Sequence, residues 1–122
     1  MMRGPLLRDM AKYDAGLDHF FIALGDPTRR AIVERLTRGP ATASELASPH
    51  DMALPSFMAH LKRLEASGLV LTEKQGRSRM CRLAPGAFAP ARSWLEQQEV
   101  AWSARLDQFD AYVTRLAKER DT

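Results

Sequence analysis

The stretch from Met52 to Val70, MALPSFMAHLKRLEASGLV, constrains the chain most, because as a helix it must carry two incompatible surfaces. Phe57, Leu61 and Leu64 recur at i, i+4 and i+7 as an apolar stripe, while Ala59, Lys62 and Ala66 point away, flanked by Ser56, Met58 and Arg63. The first surface needs a core to cover it. The second is small, polar and basic, so a helix of this kind can approach a polyanion closely and present charge at its margin. An ordinary amphipathic helix with a solvated basic edge has the same pattern, and the neighbouring segments have to decide between the two.

Gly68 supplies a left-handed stop, and after it the apolar period changes. Leu69–Lys74 and Arg79–Leu83 are extended in pattern and are separated by Gln75-Gly76-Arg77-Ser78, so residues 69–83 are predicted to form a β-hairpin with glycine in its turn. Lys74, Arg77 and Arg79 crowd its tip. A hairpin made only to close a core needs no such charge, so phosphate or minor-groove contact is expected here over a merely solvated tip. Cys81 and Leu83 share the face opposite Met80 and Arg82, which places the thiol in the core as an inert group. As the sole cysteine, Cys81 excludes an intrachain disulfide and zinc motifs built on paired cysteines.

The formal charge of +3 is localised. Residues 1–51 hold seven basic and seven acidic side chains, residues 52–83 six and two, and residues 84–122 five and six. The positive excess therefore lies in the helix and hairpin just described, as a polyanion footprint requires. At 122 residues the chain is expected to be a single domain, small enough that dimerisation would help it. No apolar run approaches the eighteen or so residues of a membrane span, and Arg8, Asp9 and Lys12 interrupt any secretory segment, so a cytoplasmic protein that does not engage membrane is expected.

Residues 1–13 lack a sustained period and are expected to form a loose arm. Leu17, Phe20, Phe21 and Leu24 mark a short helix ended by Gly25, with His19 off the stripe and facing solvent. Asp26-Pro27-Thr28-Arg29-Arg30 starts a second helix, Asp26 as N-cap and Pro27 in the first turn, running to about Arg38 before Gly39-Pro40. Arg29 and Arg30 could serve phosphate or pair with a nearby carboxylate. Thr42-Ala43-Ser44-Glu45 fits a capping box for a third, short helix that Pro49 ends, leaving His50 and Asp51 in a turn before Leu54 and Pro55 open the next. Two helices in succession, the second with a basic outer face, meet the requirements of a helix-turn-helix, and the hairpin behind them is then a wing.

From Ala87 to about Lys118 the pattern is helical again. Phe88, Leu95, Trp102, Phe109 and Leu116 follow at seven-residue steps, thickened by Leu106 and Val113. With Trp94, this apolar face exceeds what a small helical unit can cover, so a partner subunit is expected, with the first helix also in the interface. The alternative is a helix folded onto its own domain or a cofactor pocket around the tryptophans.

Assembled, the segments ALGDPTRRAIVERLTRGPATASELA, HLKRLEASGLV and GRSRMCRLAPGAF resemble the ArsR family of winged-helix repressors over residues 17–116. The resemblance implies a homodimeric repressor that binds an imperfect inverted repeat of double-stranded DNA, reading it with the helix over 54–67. Metal-sensing members carry cysteines where this chain has Thr42 and Ser44, and others place Asp and His ligands along the last helix, where this chain has no histidine. A metal-independent member without cofactor is expected. Many relatives have a Ser-Lys or Ser-Arg pair before His-Leu, and Met58-Ala59 stands there instead, which shifts the expected contacts toward Ser56, Lys62 and Arg63.

The fold class expected is mainly α with a small β-hairpin, a winged helix-turn-helix with N- and C-terminal dimerisation helices. The DNA-facing set comprises Ser56, Met58, Ala59, His60, Lys62 and Arg63 on the reading helix, Thr42 and Ser44 at the start of the helix before it, and Lys74, Arg77 and Arg79 on the wing. The dimer interface comprises Leu17, Phe20, Phe21, Leu95, Trp102, Leu106, Phe109, Val113 and Leu116. No histidine, cysteine, serine and carboxylate spacing suggests a catalytic centre, so no enzyme activity is expected. Two questions stay open: whether an effector acts on the dimer, and whether the chain is instead a helical protein-interaction module that has lost DNA binding.

Overall fold

The computed structural model describes residues 16–121, so the arm expected over residues 1–13 lies outside the described residues. The chain divides into two compact units, one ending at Phe88 and one beginning at Ala89. The first unit opens with helical residues 16–24 (α1), closed at Gly25, whose amide donates to the Ile22 carbonyl at 3.1 Å. Helix α2 (Pro27–Leu36) follows at once. Its N-cap is Asp26, whose carboxylate accepts from the Arg29 amide at 3.0 Å, and its proline sits in the first turn, where an amide hydrogen would have no partner.

Past Gly39, which has φ +131°, the chain makes a short strand β1 (Ala41–Thr42), helix α3 (Ala43–Ala47) and, after a turn, helix α4 (Leu54–Ala66). The capping box is half realised. The Thr42 hydroxyl accepts from the Glu45 amide at 3.1 Å, but the Glu45 carboxylate turns to Arg35, 3.7 Å away, because a cationic partner on α2 lies within its reach. At the far end of α4, Gly68 adopts φ +83°, its amide donates to Glu65 and the Leu69 amide donates to Leu64, the paired bonds of a Schellman stop.

Strands β2 (Val70–Gln75) and β3 (Ser78–Leu83) then form the expected hairpin, one residue longer at the turn end of each strand than the pattern suggested. Gln75 pairs with Ser78, leaving Gly76 and Arg77 as a two-residue turn whose first residue has φ +63°. The hairpin is part of a larger sheet. Strand β1 pairs antiparallel with β3, Ala41 opposite Cys81, giving the order β1-β3-β2. Two residues carry too little alternation to mark β1 as a strand in the sequence.

Ile32, Leu36, Leu46, Phe57, Leu61, Leu64, Leu69, Val70 and Cys81 make the core, each no more than 4% exposed. Burial pushes the Cys81 thiol above its ordinary pKa, against a lowering influence from Arg79 and with a further raising one from Glu65. The second unit is one helix, α5 (Ala89–Asp121). Among the described residues no helix is long and apolar enough to cross a membrane.

The N-cap gives a test. Burial works to raise the Asp26 carboxyl, but the Arg29 amide, the nearby Arg29 guanidinium and the Thr28 amide are among the influences that outweigh it and hold the pKa below its ordinary 3.8. Asp26→Ala should cost about 0.5–2 kcal/mol in urea denaturation at neutral pH. Since the folded pKa is depressed, that contribution is complete above the ordinary value and fades as the pH falls below 3.8, so the gap between variant and wild type should close in acid.

Candidate nucleic-acid interface

Helix α4 keeps its two surfaces apart. Phe57, Leu61 and Leu64 are at most 1% exposed, whereas Ser56, Ala59, Lys62 and Arg63 are all exposed on the opposite side, with Met58 half-buried at its edge. His50, in the turn between α3 and α4, stacks on Phe57 with ring centroids 5.7 Å apart, so it packs the joint as well as forming the turn. The helix opens at Ala53 without a side-chain cap and with Pro55 in its first turn.

His60 lies between these faces and is engaged by a network that sequence reasoning missed. Arg29, only 8% exposed, donates from Nε to the Ala23 carbonyl at 2.6 Å and from Nη2 to the Ile22 carbonyl at 3.0 Å, while Nη1 meets His60 Nδ1 at 2.9 Å. The Asp26 carboxylate stands 3.7 Å from the same ring nitrogen, beyond hydrogen-bond reach. Arg29 thus caps two carbonyls at the end of α1, that of Ile22 alongside the Gly25 amide, and ties that end to α4. Its buried donors are spent on two backbone carbonyls and His60, and Asp26 meets it through the backbone amide. Arg30 is exposed and does the same for the Leu24 carbonyl at 2.8 Å. An arginine three residues after an Asp-Pro helix start was the available signal, but nothing local in the sequence pointed to His60 as its partner.

On the wing, the pairs Val70–Leu83, Thr72–Cys81 and Lys74–Arg79 lie on one face of the sheet. The face that buries Val70 and Cys81 at its base therefore bears two cations directly opposite one another near its tip. Like charges so placed repel, and an anion between them relieves the repulsion. Arg79 has a second tie: its Nη1 donates to the Thr72 hydroxyl at 2.7 Å, and that hydroxyl donates to Glu65 on α4 at 2.8 Å. Lys74 and Arg77 are exposed.

The remaining expected contacts are divided. Ser44 is exposed in the first turn of α3, but Thr42 is committed through its backbone to Met80 in the sheet and through its hydroxyl to the α3 cap. Phe20, expected at a subunit interface, is buried in its own unit, edge-on to Phe88 with centroids 6.1 Å apart, whereas Phe21 is 39% exposed and Leu17 half-buried. Along α5, Leu95, Trp102, Leu106, Phe109, Val113 and Leu116 are all at least 40% exposed. Among the described residues, no group of three or more His, Cys, Asp or Glu comes together as a metal site would need.

A helix-turn-helix whose second helix bears a basic outer face, followed by a cationic β-wing, defines a winged-helix DNA-binding protein. Residues 24–73 match the family model described as a helix-turn-helix domain. The chain is 40% identical to the HTH-type transcriptional regulator Rv2034 of Mycobacterium tuberculosis over 66% of its own length and 75% of the relative's. It is 33% identical to the arsenical resistance operon repressor of Escherichia coli over 81% and 83% of the two chains. A crystal structure of an ArsR family transcriptional regulator superposes with a TM-score of 0.71 at 52% identity, covering 74% of this chain and 93% of that one. The chain belongs to the ArsR family of winged helix-turn-helix transcriptional regulators.

The link from Glu65 through Thr72 to Arg79 is exposed, so its loss should be felt locally. Thr72→Val is expected to lower stability by only about 0.5–1 kcal/mol while hydrogen exchange quickens at the wing amides relative to those of α4.

Proposed function

We propose that this chain is a homodimeric repressor that occludes a promoter by seating two copies of α4 in successive major grooves, about 34–36 Å apart, at an imperfect inverted repeat. The observation that carries the proposal is the exposed row of Ser56, Ala59, Lys62 and Arg63 on a helix whose opposite face is locked into the core. Ala59 permits close approach to base edges, Ser56 and Arg63 supply hydrogen-bonding groups, and Lys62 supplies charge for phosphate. Lys74, Arg77 and Arg79 extend phosphate contact along the wing, and Ser44 adds a polar group at the start of α3. The bulk of the affinity is electrostatic and the discrimination rests on few base contacts.

The dimer is supported by α5, whose apolar row of Leu95, Trp102, Leu106, Phe109, Val113 and Leu116 is exposed, as a surface that meets another chain is. A second copy of the helix offers a matching face. In this reading the protein works on DNA in the cytoplasm, without metal or organic cofactor, and performs no catalysis.

A gel shift on the DNA upstream of its own gene, with a salt titration, tests the first half. Lys62→Ala should weaken binding to specific and random DNA alike and lower the salt slope by about one per protomer, while Ser56→Ala and Arg63→Ala should change base preference. Equal losses on both DNAs for all three variants would overturn that division. For the second half, Leu106→Asp should shift the protein to monomer in sedimentation and abolish the specific shift.

A further inference from the structure

Resting on the DNA-binding reading above, we propose that Arg29 is a positioning residue: it holds His60 as a neutral imidazole with its proton on Nε2, and that N–H donates to a DNA phosphate. The Arg29 guanidinium is fixed from the end of α1. Two backbone carbonyls at the end of α1, Ala23 at 2.6 Å and Ile22 at 3.0 Å, set its plane, and its Nη1 then meets His60 Nδ1 at 2.9 Å. A guanidinium has donors only, so Nδ1 must accept, and a neutral imidazole that accepts at Nδ1 carries its hydrogen on Nε2. Asp26, 3.7 Å from Nδ1, is too far to claim that hydrogen for a bond of its own.

The remaining question is where Nε2 faces. Among the described residues, the ring's polar contacts are all made through Nδ1. Among the described residues no buried side-chain nitrogen or oxygen lacks a partner, so an Nε2 without a hydrogen bond is not buried; the side chain is 23% exposed. His60 follows Ser56 by four residues and precedes Arg63 by three, which puts it on the same edge of α4 as both. An open N–H beside these exposed polar residues suits a phosphate oxygen. It adds a directional contact without adding charge, and its direction is set from the end of α1 through Arg29.

The test uses the full chain and a labelled mixed-sequence duplex, since a phosphate contact needs no operator. His60→Asn keeps an acceptor near the position of Nδ1 and removes the Nε2 donor. Its affinity should fall about three- to tenfold, with the slope of log affinity against log salt and the melting temperature both unchanged. Wild-type affinity in this variant, or a slope reduced by about one as for a lost charge, would overturn the proposal. Arg29→Lys cannot span two carbonyls and the ring, and if it acts through His60 its loss of affinity should not add to that of His60→Asn in the double variant; additive losses would overturn the positioning role. Should Arg29→Lys fail to fold, the nitrogen-15 spectrum of wild-type His60 decides, with the Nε2–H tautomer expected and an Nδ1–H or doubly protonated ring fatal. Failure of the wild type to bind the duplex at low salt would defeat the DNA-binding reading and this inference with it; binding by wild type and His60→Asn alike would defeat the inference alone.

Discussion

The buried guanidinium of Arg29 is the interaction on which the arrangement of the first unit depends. A cation only 8% exposed is costly unless its donors are used, and here Nε and both terminal nitrogens have partners between 2.6 and 3.0 Å. Two of the three are carbonyls at the C-terminal end of α1, the negative end of that helix, so charge and dipole meet favourably without a carboxylate. Asp26 contributes from its place at the N-terminus of α2, where it satisfies the amide of the same arginine. One residue thus closes α1, sits in the first turn of α2 and reaches the helix that faces outward. Lysine has the charge but not the fork, and could not do all three.

That anchoring explains how α4 can afford a bare outer surface. Its apolar stripe fixes rotation about the helix axis through Phe57, Leu61 and Leu64, and the stop at Gly68 fixes its end. Arg29 holds one edge through His60, and Thr72 holds Glu65 from the wing. The exposed row is therefore free of structural duty, and its side chains can be chosen for what they meet outside. A small residue such as Ala59 weakens nothing there, because the core lies on the opposite side.

Elements with a strong period or a strong stop were legible in the sequence: the cap at Asp26, the apolar stripe of α4, the glycine stop, the hairpin and the long final helix. What escaped was non-local. Strand β1 exists because Ala41 and Thr42 meet Cys81 and Met80 some forty residues later, and two residues cannot announce a strand by alternation. The return half of the capping box gave way to Arg35, a partner supplied by the folding of α2 onto α3. Arg29 and His60 are thirty-one residues apart, and each looked like surface chemistry when read alone. For the candidate site, the exposure of Ser56, Ala59, Lys62 and Arg63 followed from helical geometry, while the commitments of Thr42, His60 and Arg79 required the tertiary fold.

The last helix imposes a different constraint. Leu95, Trp102, Phe109 and Leu116 repeat every seven residues, whereas a straight α-helix returns to the same face every 3.6, so the row drifts by about 20° per step. Leu106 and Val113 lie on the side from which it drifts and widen the stripe to compensate. Two such helices in the proposed dimer cannot stay in contact along their whole length as straight, parallel rods. They must either coil left-handedly around one another or cross once.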